Sequence, residues 1–372
     1  MPSKARPDIW LAIPVTILVV VGIVMIYSAS AFVAVRDHEP PHYFLVRQLI
    51  WAALGAGALA VASGVDYRHY RRFALPAGIA VLLLLVAALV PPFSHVKGGV
   101  HRWIGLGPVD FQPSEFAKLG LMVFLAAALV KKRDLLAAAG WRSLLPELGL
   151  VAACLLLVMV EPDLGTTITL AASLGALLFV GGLRLRNLLW VVAGALPLLA
   201  WSLYRHPYQR HRILTFLDPW SDAQGKGFQA VQAFLALGRG GFAGTGPGGS
   251  RQKLFFLPAP HTDFILAVIG EELGFIGLLF VMSLFGVVLW RGMRAALRAP
   301  DLFGTYLAFG LTFCLFLQVV INTGVVVGLL PTKGLTLPFL SYGGTSLVAS
   351  MATIGVLLNI SRHGVATRRE EA

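Results

Sequence analysis

Leu257-Pro-Ala-Pro-His-Thr-Asp-Phe-Ile-Leu-Ala-Val-Ile-Gly-Glu-Glu-Leu-Gly274 decides how the chain is read. Its Pro-rich approach ends at Thr262-Asp263, where an apolar run long enough to cross a bilayer begins. At about 100° per residue, Gly270 lies about 20° from Asp263 on a helical wheel and Gly274 about 20° to the other side. Small residues spaced i, i+4 mark a face where a membrane helix packs closely on a neighbour, so Asp263 is expected to point into protein. Glu271 and Glu272 follow about 12 Å deeper. The wheel turns Glu271 about 80° from Asp263 and puts Glu272 on the far side, so the three carboxylates do not form one cluster.

Working outward, the composition agrees with a membrane setting. Of 372 residues, 57% are hydrophobic and 13% charged, and the mean hydropathy is +0.78. A polytopic membrane protein has this profile and a soluble domain does not. The formal charge of +12 comes from short Lys/Arg clusters between apolar runs, without the basic, aromatic-interleaved patch of a nucleic-acid binder. Cys154 and Cys314, the two cysteines, lie inside apolar runs and predict neither a disulfide framework nor a metal site.

Runs near 9–33, 44–64, 73–91, 114–130, 144–160, 165–182, 188–204, 263–290, 303–328 and 342–360 are long enough to span. The expected fold is therefore all-α, with about ten transmembrane helices in a single integral membrane unit over 1–372. The first run is too long for a cleaved signal. With the N-terminus inside, the inner segments carry 17 of the 30 Lys and Arg on about half the length of the outer ones, so both termini are read as cytoplasmic. Segments 92–113, 205–262 and 329–341 then face outward, the longest of them between helices 7 and 8. Loops of this kind on a rigid scaffold are where function concentrates.

Each candidate residue has a bland reading beside a chemical one. Asp263 suits a helix N-terminus, with Thr262 a fair cap; the glycine face and the basic residues of the preceding loop favour a functional role. Glu271 and Glu272 either bond to neighbouring backbone and helices or serve the site, since carboxylates at bilayer depth are functional by default. Glu115 and Lys118 share a helix face, as a structural ion pair or as a grip on an anionic lipid head group. Glu161 and Asp163, in Glu161-Pro-Asp-Leu-Gly-Thr166, form either a tight turn or part of an active or metal site. Arg102, Arg210, Arg212, Lys253 and Lys333 are outward cations that singly suit solvent or lipid phosphate and together suit a diphosphate. Gly244, Gly246 and Gly249 fit G-x-G-x-x-G, but no strand precedes them and Pro247 interrupts them, so no dinucleotide loop is expected. With no Walker A pattern either, no nucleotide cofactor is expected.

The chain resembles the SEDS polymerases of bacterial envelope synthesis, the RodA/FtsW/SpoVE family. The resemblance is carried, in order, by Gly22-Ile-Val-Met-Ile-Tyr-Ser-Ala-Ser30, Arg102-Trp-Ile, Gln112-Pro-Ser-Glu-Phe-Ala-Lys118 and Glu161-Pro-Asp-Leu-Gly-Thr166. It continues with Phe216-Leu-Asp-Pro-Trp220, Ser250-Arg-Gln-Lys253, His261-Thr-Asp-Phe264, Gly270-Glu-Glu-Leu-Gly274 and Leu337-Pro-Phe-Leu-Ser-Tyr-Gly-Gly344. Pro331-Thr-Lys-Gly334, with the first and Ser-Arg-Gln-Lys motifs, favours the FtsW/SpoVE branch. Ala259 stands where the family has Glu and Leu266 where it has Phe, so a metal site resting on that Glu is not expected here. The resemblance implies a bacterial inner-membrane glycosyltransferase that polymerises lipid II by inversion at the outer face. It implies catalysis by Asp263, a class B penicillin-binding protein partner and other division or elongation membrane proteins. His261 and Ser341, in matching motifs, join Arg102, Glu115, Lys118, Arg210, Arg212, Lys253 and Lys333 as expected substrate or diphosphate contacts. Glu161, Asp163, Gly270, Glu271, Glu272 and Gly274 are expected to support them, and a divalent cation, Mg or Mn, is an optional addition. The rivals are a lipid II flippase lined by Lys118, Glu271 and Glu272, and a division scaffold without chemistry. Polymer formation in detergent separates the first rival, and tolerance of Asp263→Ala the second.

Overall fold

The computed structural model describes residues 8–97, 100–107, 109–205, 212, 215–225, 227–254, 257–258 and 260–364. Counted in chain order, the described helices are α1 (Ile9–Arg36), α2 (Tyr43–Gly64), α3 (Tyr67–Arg72), α4 (Ala74–Leu89), α5 (Pro113–Lys131) and α6 (Arg133–Ala139). There follow α7 (Leu145–Val160), α8 (Leu164–Val180), α9 (Leu185–Arg205), α10 (Phe228–Gly240), α11 (Ile265–Arg298), α12 (Leu302–Val326) and α13 (Gly344–Arg362). Every apolar run read from the sequence coincides with one of them. Seven are long and apolar enough to cross a membrane: α1, α2, α5, α7 with the 3-10 turn before it, α11, α12 and α13. The apolar helices α4 and α8 are shorter.

Enclosure is graded. Helices α5 and α13 are surrounded by others, whereas Trp10, Val24, Leu54, Leu83, Phe275, Leu279 and Trp290 turn outward. An outer wall of this apolar kind belongs against hydrocarbon, because in water it would be one large sticky patch. Helix α13 lies along α2 through Gly355, where a Cβ would strike the Leu59 carbonyl, which is the close approach small residues permit between membrane helices.

The all-α expectation needs one correction. Between α4 and α5 the chain forms an antiparallel sheet in the order β1 (Ser94–Lys97), β2 (Val100–Leu106), β3 (Val109–Phe111). Ile104 pairs with Phe111 and Gly105 with Asp110. Gly107, at a φ of 68°, follows β2, and the last strand is tied to the start of α13 by the Thr345 hydroxyl, which donates to the Asp110 carbonyl.

A second correction concerns the opening stretch. Asp263 lies in the turn before α11, which starts at Ile265, and α11 breaks at Gly274 (φ 66°, ψ −167°). Asp263 is therefore not on the helix whose wheel relates Gly270 to Gly274. A break inside a buried helix strands backbone groups that must find partners. The glycine-rich segment after α10 supplies them. Thr245 and Gly246 donate N–H groups to the Glu271 and Glu272 carbonyls at 2.9 and 3.0 Å, while Phe275 and Ile276 donate to the Gly241 and Phe242 carbonyls at 3.0 and 3.3 Å. A Cβ at Gly274 would run into the backbone of Phe242, Ala243 and Gly244. The G-x-G-x-x-G stretch thus repairs a helix break.

Candidate active site

Asp263 is held by its backbone. The Asn322 amide, from α12, donates to the Asp263 carbonyl at 3.1 Å and to the Leu335 carbonyl at 2.7 Å. Next to it, the Ser341 hydroxyl donates to the Thr262 carbonyl at 2.6 Å and accepts from the Leu337 N–H at 2.8 Å. These bonds bind the 260–264 turn to the 335–341 loop and keep the aspartate out of the helix. Its carboxylate rests against Gly334, where a Cβ would come within 3.4 Å of Oδ2.

Charges from three separate segments act on that carboxylate. Burial lifts its pKa from the ordinary value to about 6; Arg212 and Arg102 pull it down and Asp163 pushes it up. Lys333, one residue before Gly334, feels the same neighbours. Burial lowers its pKa below the usual lysine value, with Asp163 raising it and Arg212 lowering it further. Arg102 on β2, Asp163 at the start of α8 and Arg212 thus act electrostatically on Asp263, and Asp163 and Arg212 act likewise on Lys333. A carboxylate ionised at neutral pH and ready to take a proton, beside cations, is the equipment for moving a proton next to a developing anion.

Arg102 is partly committed elsewhere. Its Nε and one terminal nitrogen donate to the carbonyls of Glu161 and Pro162, both at 2.7 Å, and the other lies 3.6 Å from Asp163. It pins the α7–α8 turn beneath the site. Asp163 caps α8, accepting from the Thr166 N–H and hydroxyl at 3.0 Å each. Glu161 is fully buried with neither carboxylate oxygen partnered. Burial first and the charge of Asp163 second push its pKa up to about 9, against Arg102. It is accordingly neutral at pH 7.

Other expected contacts are satisfied by internal partners. The Lys118 ammonium donates to Glu115 at 2.8 Å and to the Gln318 amide oxygen at 2.7 Å, and Gln318 in turn donates to the Thr336 carbonyl at 2.8 Å. That chain ties α5 through α12 to the loop carrying Lys333. Lys253 donates to Glu272 at 2.8 Å and to Ser28 at 2.9 Å, so this cation is a buried tie between α1 and α11. Glu272 also accepts from Ser28 at 2.7 Å and from the Gly248 N–H at 3.0 Å. Glu271 accepts from the Ser250 hydroxyl at 2.5 Å and from the Arg251 N–H at 3.0 Å. Both glutamates thus clamp the repairing loop, and Gly270 seats Leu237 and Gly240 of α10.

His261 is buried between the rings of Phe44 and Tyr342, at 4.8 and 5.6 Å between centroids. Burial drops its pKa to about 4, so it is neutral and offers a diphosphate no charge. Arg210 and Ala259 lie outside the described residues. Among the described residues no three His, Cys, Asp or Glu side chains gather as a metal site. Asp163, already a helix cap, and Asp263 do not make that donor set. Sequence reasoning missed Asn322 and Gln318. Both are polar residues inside an apolar span, four apart, which is the signal that could have found them.

The cell cycle protein family that groups FtsW, RodA and SpoVE matches residues 9–365. The chain is 42% identical to the stage V sporulation protein E of Bacillus subtilis over 97% of this chain and 98% of that one. It is also 42% identical to a probable peptidoglycan glycosyltransferase FtsW of Geobacter metallireducens, over 96% of this chain and 95% of that one. Among solved structures, a chain of a peptidoglycan synthase complex that coordinates polymerization and crosslinking superposes with a TM-score of 0.78 at 32% identity, covering 96% of this chain and 98% of that one. The rod shape determining protein RodA of Thermus thermophilus gives 0.69 at 29% identity, covering 98% of this chain and all of that one. With two of its named relatives on the FtsW and SpoVE side at higher identity than RodA, and with the match running almost end to end, the chain belongs to the FtsW/RodA/SpoVE family and is FtsW-like.

Proposed function

We propose that the chain polymerises lipid II into glycan strands at the outer face of the bacterial cytoplasmic membrane, with Asp263 as the general base. The observation that supports this is a buried Asp263 carboxylate under the influence of Arg212 and Arg102, resting against Gly334, the residue after Lys333. A polyprenyl diphosphate is a good leaving group once its charge is neutralised. The reaction then needs one base and several cations, unlike the acid and carboxylate pair of a glycosidase. Asp263 takes the proton from the 4-hydroxyl of the acceptor sugar as that oxygen attacks the donor anomeric carbon from the face opposite the diphosphate. The C–O bond to the diphosphate breaks, the configuration inverts, and Arg212 and Lys333 face the departing charge. A positioned base of this kind contributes about 10²–10⁴-fold.

Ten membrane crossings with both termini cytoplasmic follow from the same reading. Arg68, Arg71, Arg72, Arg291, Arg294 and Arg298 cluster at helix ends remote from Asp263, as the inner face of a membrane protein requires. A class B penicillin-binding protein is the expected partner for crosslinking, supported by the similar chain found in a peptidoglycan synthase complex. A flippase is less well supported, because Lys118, Glu271 and Glu272 are each closed in internal bonds.

Purified protein given lipid II in detergent, with and without the partner, tests the proposal, since there is then no membrane to cross. Glycan polymer is the expected product. Transport of lipid II across reconstituted vesicles, with no polymer under any condition, would overturn it in favour of a flippase.

A further inference from the structure

The Phe216-Leu-Asp-Pro-Trp220 motif takes no part in the chemistry above, yet it builds one wall of a cavity of about 220 Å³. Arg212, Thr215, Phe216, Trp220, Phe234 and Thr332 line it. The cavity belongs beside the site. Arg212 acts electrostatically on Asp263, and Thr332 precedes Lys333, which is followed by the Gly334 that touches the Asp263 carboxylate.

Its aromatic faces are held in place. The Asp218 carboxylate accepts from the N–H groups of Trp220 and Ser221, both at 3.2 Å, and the Ser221 hydroxyl donates to the Asp218 carbonyl at 2.8 Å. This Asx turn presents the Trp220 ring with 57% of its surface exposed. Opposite, the Phe234 ring of α10 sits directly against Gly328 (φ 78°), where any Cβ would collide with it.

We propose that this cavity binds one pyranose ring of the lipid-linked saccharide, an inference that rests on the glycosyltransferase reading above. The axial C–H bonds of a pyranose carry a small positive charge and lie well on the negative face of an aromatic ring. Threonine hydroxyls and a guanidinium supply the few polar contacts that orient a ligand in an otherwise apolar pocket. A volume of about 220 Å³ is below the ~300–1,000 Å³ of drug-sized sites, which suits a single ring and not a disaccharide with its peptide. The wall's mixed character separates it from the groove of about 540 Å³ between α1 and α11, whose Val20, Val24 and Phe32 suit an acyl chain.

The test compares wild type with Trp220→Ala, Trp220→Tyr and Thr332→Val, using Trp190→Ala on α9 as an exposed control. KM and kcat for lipid II are measured, together with saturation-transfer NMR contacts to a soluble N-acetylhexosamine disaccharide. Trp220→Ala is expected to raise KM about tenfold with kcat within about threefold, Tyr to restore it, and the NMR contacts to vanish in the Ala variant. Turnover with unchanged KM and unchanged disaccharide contacts in Trp220→Ala would overturn the pocket and leave the function standing. Disaccharide contacts that depend on Trp220 in a protein making no polymer would support the pocket while the function falls. Displacement of the disaccharide by polyprenyl phosphate alone would overturn the assignment to a sugar.

Discussion

Lys253 offers a sharp test of which cations serve substrate and which serve the fold. Its ammonium is 2.8 Å from Glu272, and the two side chains are 3% and 1% exposed. At that distance, with an effective dielectric of about 20, the attraction is roughly 6 kcal/mol, most of it offset by stripping both ions of water. Removing one partner leaves the other buried and charged, which costs ~3–5 kcal/mol. In Lys253→Met, Glu272 keeps the Ser28 hydroxyl and the Gly248 N–H, so the loss is expected at the lower end, about 3 kcal/mol. Adding Glu272→Gln removes the stranded charge and is expected to recover about half of it. The assay is thermal unfolding of the purified variants in detergent, arranged as a double-mutant cycle. If Lys253→Met unfolds with the wild type and instead raises KM for lipid II, the ion pair is not structural and the lysine binds diphosphate after all.

Other consequences follow from the same geometry. Because Asp263 titrates near 6, its proton-accepting form is lost as pH falls through that value. The rate constant kcat/KM is expected to rise with pH through about 6 and then level, and a midpoint near the ordinary 3.8 would contradict the buried setting. Arg212→Ala removes a charge that holds this pKa down and should move the midpoint upward. Folded Glu161 keeps a proton that its unfolded form, titrating near 4.5, releases, so wild-type stability should fall as pH rises from there towards 9. Glu161→Gln is free of that loss. Its melting temperature should match wild type near pH 5 and exceed it at pH 8, and a gap that narrows with rising pH would refute the neutral carboxyl. Gly274→Ala puts a side chain into the Phe242–Gly244 backbone at a positive φ with ψ near 180°, a region essentially confined to glycine, costing ~1–3 kcal/mol for the conformation alone. Loss of folded protein on size-exclusion chromatography is expected there, whereas Gly286→Ala, with open space around it, should fold normally.

The helices were legible because a bilayer imposes length and apolarity on every crossing. The runs 44–64 and 303–328 became Tyr43–Gly64 and Leu302–Val326. What stayed hidden depended on distant partners. Thr262-Asp263 looks like the start of α11, yet Ser341 and Asn322 draw its backbone aside, and the helix begins two residues later. Gly274 resembles a packing glycine, and nothing local announces its positive φ or the loop that repairs it. Lys253 reads as an outward cation because its segment lies outside the apolar runs. Only the folding of that segment back onto α1 and α11 brings it to Glu272. The meander over 94–111 alternates too briefly to stand out against its glycines and prolines. Asp263, Asp163, Arg102, Arg212 and Lys333 were each visible as residues, but their electrostatic coupling required the tertiary structure.

The central claim is that Asp263 removes the acceptor's proton. Asp263→Asn preserves size and the backbone bond from Asn322 while abolishing the base. Lipid II polymerisation by the purified variant, with its partner present and its folding checked by melting temperature, is expected to fall by about 10²–10⁴-fold. Glycan strands made at close to the wild-type rate by a folded Asp263→Asn protein would contradict the account.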